Sequence, residues 1–124
     1  MKNIEIITHI NQLDDFTKDK LPVKLSFAVA KNLNKLHDLY KDYENERNKI
    51  LDLYNVKDDK GEPAYKMSGK IEIVEDRISD WNKDIAELLD IEVEFDMHEV
   101  EYAIIDQLEF SVADVEAIEF MIKE

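Results

Sequence analysis

Glu92, Glu94, Asp96 and His98 fall two residues apart in the stretch DIEVEFDMHEVEYAIID, and Glu99 and Glu101 follow within three positions. Three carboxylates and an imidazole at alternate positions are the residue types of a metal site. The spacing argues against one. Side chains two apart on an extended strand stand about 7 Å from each other, whereas a hard cation needs oxygens about 2.0–2.6 Å away on several sides. A second element would have to close the shell, and His9 and His37 are isolated from any acid cluster at ligand spacing. The expectation is a solvated strand face with no metal.

Other chemistries have less to draw on. The chain has no cysteine, so neither thiol catalysis nor a disulfide framework exists. Ser26, Ser68, Ser79 and Ser111 lie in helical or capping contexts without a glycine-rich elbow. Gly61 and Gly69 stand alone and make no phosphate loop. No enzymatic activity and no cofactor are expected.

The charge is placed unevenly. Residues 1–83 hold 16 acids and 15 bases, whereas residues 84–124 hold 14 acids and one base, Lys123. Such a surface repels nucleic acid and anionic membrane and attracts basic partners. Solubility alone would be a sufficient reason for it. As a recognition surface, its candidate protein-binding residues are Glu92, Glu94, Asp96, Glu99 and Glu101. Tyr40, Tyr43, Tyr54 and Trp81 look like a base-stacking set, but they fall at core spacing in an acidic chain. Direct nucleic-acid binding is therefore not expected, because phosphate contacts require Lys and Arg.

The elements that would position these residues are mostly helical. Val29, Leu33, Leu36, Tyr40, Tyr43, Arg47, Ile50 and Tyr54 repeat at 4-3 spacing, which predicts a helix over about 22–55 with a coiled-coil seam. Pro22 suits its first turn. Arg47, the one polar seam residue, is expected to bury its stem and keep its head in water. Met67, Ile71, Val74, Ile78, Trp81, Ile85 and Leu88 predict a second helix over about 67–90, joined by the polar VKDDKGEP loop into an antiparallel hairpin. Ser68 is its candidate cap. Ile6, Ile10 and Leu13 favour a helix near the N-terminus, although Ile4 and Ile6 also fit a short strand, and TKDK is the expected break.

Ile91, Val93, Phe95 and Met97 alternate with acids, so a β segment over 91–105 is expected with these four facing the core. The apolar phase then moves to Val100, Tyr102 and Ile104, which demands an irregularity at His98–Glu99. Ser111 with Asp114 is a near capping box for a C-terminal helix over 112–123, lined by Val115, Ile118 and Ile122. The fold class is mainly α (α+β) in one domain of 124 residues. MKNIEIITHI is too polar for a signal peptide, and no apolar run approaches the roughly 18 residues of a membrane span.

The stretches KLPVKLSFAVAKNLNKL, YNVKDDKGEP, ELLDIEVEFDMHEV and ADVEAIEFMI, in this order over nearly the whole chain, resemble a family of small uncharacterised phage and prophage proteins of Gram-positive bacteria. The resemblance implies a phage product acting in the host cytoplasm or in a virion, and it carries no functional residue. Two functions fit. One is an acidic, nucleic-acid-mimicking inhibitor of a host nucleic-acid-binding or defence protein. The other is a structural or assembly protein acting through helix–helix self-association, with a homo-oligomer as the implied state.

Overall fold

The computed structural model describes residues 1–16, 21–106 and 108–123. Four α-helices dominate: α1 (Asn3–Asp14), α2 (Val23–Tyr54), α3 (Ile78–Leu89) and α4 (Val112–Ile118). Two short strands, β1 (Val100–Glu101) and β2 (Ile122–Lys123), pair in parallel. The expected break TKDK lies outside the described residues. The contacts form two compact units, Met1–Tyr40 with Glu92–Glu124, and Lys41–Ile91; α2 contributes to both.

In the first unit, α1 is the helix its apolar spacing predicts. Ile6, Ile10 and Leu13 are buried, Ile4 is exposed, and the Lys2 N–H donates to Glu5 Oε1 at 2.9 Å across the first turn. These residues join Phe16, Leu25, Ala28, Leu36, Val100, Ala117, Ile118 and Met121 in one core. Helix α4 carries the expected reciprocal cap: the Asp114 N–H donates to Ser111 Oγ at 3.1 Å and the Ser111 N–H to Asp114 Oδ2 at 3.0 Å.

That helix is shorter than the expected 112–123. It gives way to a 3₁₀ turn, Glu119–Met121, and then to β2. The tighter turn sets Met121 fully into the core and leaves Ile122 free to pair with Val100. The inner face is consequently Ala117, Ile118 and Met121, while Val115 of the expected face is exposed.

The second unit holds the hairpin between the C-terminal part of α2 and α3. Tyr43, Leu51, Tyr54 and Leu88 are buried along it. Tyr54 Oη donates to Asp84 Oδ2 at 2.6 Å, which holds the phenol above its usual pKa. The Arg77 guanidinium lies 5.0 Å from the Tyr54 ring centre. The Arg47 head does more than reach water, because it sits 5.8 Å over the Trp81 ring in a cation–π contact.

The second helix does not begin near residue 67. It starts at Ile78 after a 3₁₀ turn, Glu75–Arg77. Residues 54–74 instead form a small β element. The Val56 N–H donates to the Glu72 carbonyl, the Glu72 N–H to the Ala64 carbonyl, and the Ala64 N–H to the Val56 carbonyl, at 2.8, 2.9 and 2.8 Å. Bridges at Asn55–Ile73, Lys57–Pro63 and Tyr65–Ile71 extend this ring into three antiparallel arms.

Two of those arms end in matching turns eight residues apart. The Asp58 and Lys66 N–H groups donate to the Glu62 and Lys70 carbonyls, and Gly61 (φ 79°) and Gly69 (φ 86°) occupy the left-handed position of each turn. A left-handed Gly69 cannot lie in a helix, so the 4-3 spacing of Met67, Ile71 and Val74 is coincidental. Met67 is fully exposed, and Ser68 caps no helix.

Candidate acidic segment and adjoining groove

Residues 91–99 form no regular element beyond a bridge of Glu92 to Lys2, and only Val100–Glu101 qualify as strand; Tyr102–Ile104 then form a 3₁₀ turn rather than continuing the expected β segment. The alternation predicted from the sequence is present. Val93, Phe95 and Met97 are half-buried, whereas Glu92, Glu94 and Asp96 are exposed. Ile91 departs from the expectation and is 49% exposed. It lies at the edge of α3, before the segment meets the core.

The predicted phase slip falls where expected. His98 is half-buried directly after half-buried Met97, and Val100 is then fully buried. The device that holds the slip is Asn32, a fully buried side chain on α2. Its Nδ2 donates to the His98 carbonyl at 2.9 Å, and its Oδ1 accepts from the His98 N–H at 2.8 Å. A side-chain amide has the same donor–acceptor pair as a peptide group. Asn32 therefore serves His98 as a neighbouring strand would, at the one residue where the alternation breaks. Nδ2 also lies 3.5 Å from Met121 Sδ.

Further ties fix the rest of the segment. The Val93 N–H donates to the Met1 carbonyl at 2.8 Å, and the Met1 α-amino group donates to Glu92 Oε2 at 2.9 Å. Lys35 Nζ donates to the Asp96 carbonyl at 2.6 Å and stands 3.8 Å from its carboxylate. Both ion pairs are solvent-exposed on the acid side and contribute little to stability. Glu94, Glu99 and Glu101 make no ion pair among the described residues. All five candidate residues are thus exposed on one segment whose backbone is held from α2 and Met1.

Beside the end of this segment lies a groove of about 510 Å³. One wall is the first turns of α2, with Val23, Lys24 and Phe27; the other carries Glu99, Val100 and Glu101. The Phe27 ring meets His98 edge-on at 5.4 Å, and Lys31 Nζ stands 5.6 Å from the Phe27 ring centre on α2. Sequence reasoning missed both Asn32 and the groove. Phe27 and Val23 fall outside the heptad seam, and their i, i+4 spacing next to Lys24 was the only available signal.

No group of three or more His, Asp or Glu side chains among the described residues is arranged to hold a metal ion. No helix among them is long and apolar enough to cross a membrane. No protein-family model, curated protein or solved structure matches this chain. The fold is mainly helical, with a long α2, a two-stranded parallel sheet and a C-terminal helix.

Proposed function

We propose that this chain is a non-enzymatic, phage-type binding protein whose recognition element is the acid-bearing segment 92–101. In this reading it inhibits a host protein by covering a basic, nucleic-acid-binding surface. The observation that carries the reading is Glu94, Glu99 and Glu101 standing outward without ion-pair partners among the described residues, on a backbone already fixed by Asn32, Lys35 and Met1. Anionic groups on a pre-ordered segment need little reorganisation on binding. The net charge of −14 adds long-range steering toward a basic partner. The phage setting rests on the resemblance.

Helix–helix self-association has less support, because Leu36, Tyr43, Tyr54 and Leu88 are already buried within the chain. The test is capture from host lysate at low and at high salt, followed by surface plasmon resonance with the captured partner. Glu92→Lys, Glu94→Lys and Asp96→Lys together should slow association steeply and leave the far-UV circular dichroism unchanged. Screening beyond a Debye length of about 8 Å should slow the parent in the same way. An on-rate indifferent to both would sink the proposal.

A further inference from the structure

We infer that the groove beside Glu99 and Glu101 is a docking site for a short peptide segment of a partner protein, carrying one large apolar side chain next to a Lys or Arg. The inference rests on the binding reading above and adds what the acids alone lack, a means of choosing among basic partners.

Three observations specify the occupant. The first is apolar surface left uncovered in a concavity. Val23 is 84% exposed and Phe27 is 54% exposed, four residues apart on one face of α2, with Val100 and Ile104 opposite. Single exposed apolar residues are ordinary, but two that line the same groove present a site for an apolar side chain.

The second is size. About 510 Å³ accepts one large side chain and its adjoining backbone, which suits a segment rather than a domain face.

The third is charge. Glu99 and Glu101 are exposed on one wall, and Lys24 stands on the other. A basic group is favoured on the Glu99–Glu101 side and repelled at Lys24, so the ligand's polarity and direction are both set. A second copy of this chain is the less suitable occupant, because two bodies of net charge −14 repel each other.

The wall that carries the acids is the one Asn32 fixes at His98, so the groove exists before any ligand arrives. The Phe27 ring is set by its edge-on contact with His98 in the same way.

The test uses the full chain and four fluorescein-labelled heptapeptides of Gly and Ser. Each has a central phenylalanine or alanine, flanked by two lysines or by two glutamates. Fluorescence anisotropy measures affinity, and amide chemical shifts locate the site. The lysine-flanked phenylalanine peptide should bind saturably and shift the amides of Phe27, Glu99, Val100 and Glu101. Replacing its phenylalanine by alanine should weaken binding about tenfold, and Phe27→Ala in the protein should do the same. Phe27 is exposed, so that variant should keep the parental circular dichroism.

Equal binding of both lysine peptides, unaffected by Phe27→Ala, would overturn the groove assignment while leaving the acidic-surface reading intact. Preference for the glutamate peptides would overturn the charge assignment. Failure of every peptide to shift groove amides at millimolar concentration would end the inference, whereas the lysate capture judges the acidic surface separately. Self-association in sedimentation that Phe27→Ala abolishes would make a second copy the occupant and refute it as stated.

Discussion

Replacing Asn32 should loosen the acid-bearing segment from α2 at a single point. Asn32 is fully buried, and its amide makes both a donated and an accepted hydrogen bond with the His98 backbone, at 2.9 and 2.8 Å. Each such bond contributes about 0.5–1.5 kcal/mol net, and more is lost when the partner is left buried and unpaired. His98 is half-buried, so water can reach part of the exposed peptide. Asn32→Ala adds a small void, and the total expected loss is about 2–4 kcal/mol.

Asn32→Leu fills the volume without pairing His98, so it should lose about 2 kcal/mol. Asn32→Asp keeps the acceptor but turns a carboxylate toward the His98 carbonyl in a buried site, and should be the worst of the three. Urea titration followed by circular dichroism gives the stability change, and hydrogen exchange at the His98 amide gives the local one. In Asn32→Leu that amide should lose protection while α1 amides keep theirs. Parental stability in both the Ala and Leu variants, with His98 still protected, would refute the assignment of Asn32 as the holder of the segment.

Leu36→Ala should cost about 2–5 kcal/mol in the same titration, since Leu36 is fully buried, and Ile85→Ala about half as much because Ile85 is half-buried. Gly61→Ala and Gly69→Ala should each cost about 1 kcal/mol; nothing lies within 4 Å of the added carbon, so the loss is purely that of the left-handed backbone. His9 stacks on Phe120 at 4.0 Å with Nδ1 buried. Burial lowers its pKa from 6.5, outweighing Glu5 and a hydrogen bond with Gln12. The unfolded chain then takes up the proton first, so stability is full above the unfolded value and falls as pH drops through 6.5 toward the folded one. His9→Phe should flatten the decline in urea midpoint between about pH 7.5 and 5.5.

Helix α2 was legible because seven of eight seam positions are apolar over about seven turns, and its ends fall within a residue of those the pattern predicts. The phase slip at His98 was legible for the same reason, since alternation has only two states and a change between them must be absorbed. Asn32 was not: a lone polar residue on a helix carries no sign of a partner 66 positions away. The start of α3 was misread because three apolar residues happened to continue a real 4-3 pattern backward. The competing signals were two glycines at an eight-residue offset and the Ile71–Ile73 alternation, and both describe the structure better. The acids of 92–101 were legible as exposed, whereas the groove beside them depends on packing between α2 and β1 that no local pattern encodes.

The hydrogen-bonded ring of Val56, Ala64 and Glu72 gives each arm two partners at once. An ordinary hairpin can slide by a residue pair and leaves an outer row of unpaired amides, which invites another chain to add on. Here a slip in one arm would break its pairing with both others, so the register is locked by closure rather than by side-chain choice. Closure also leaves little open edge for intermolecular pairing, in a segment that carries the exposed apolar side chains of Tyr65 and Met67. Every pairing joins residues within about twenty positions of each other, so the element can form early and locally. It would then fix where the chain reverses before α2 and α3 have to find one another.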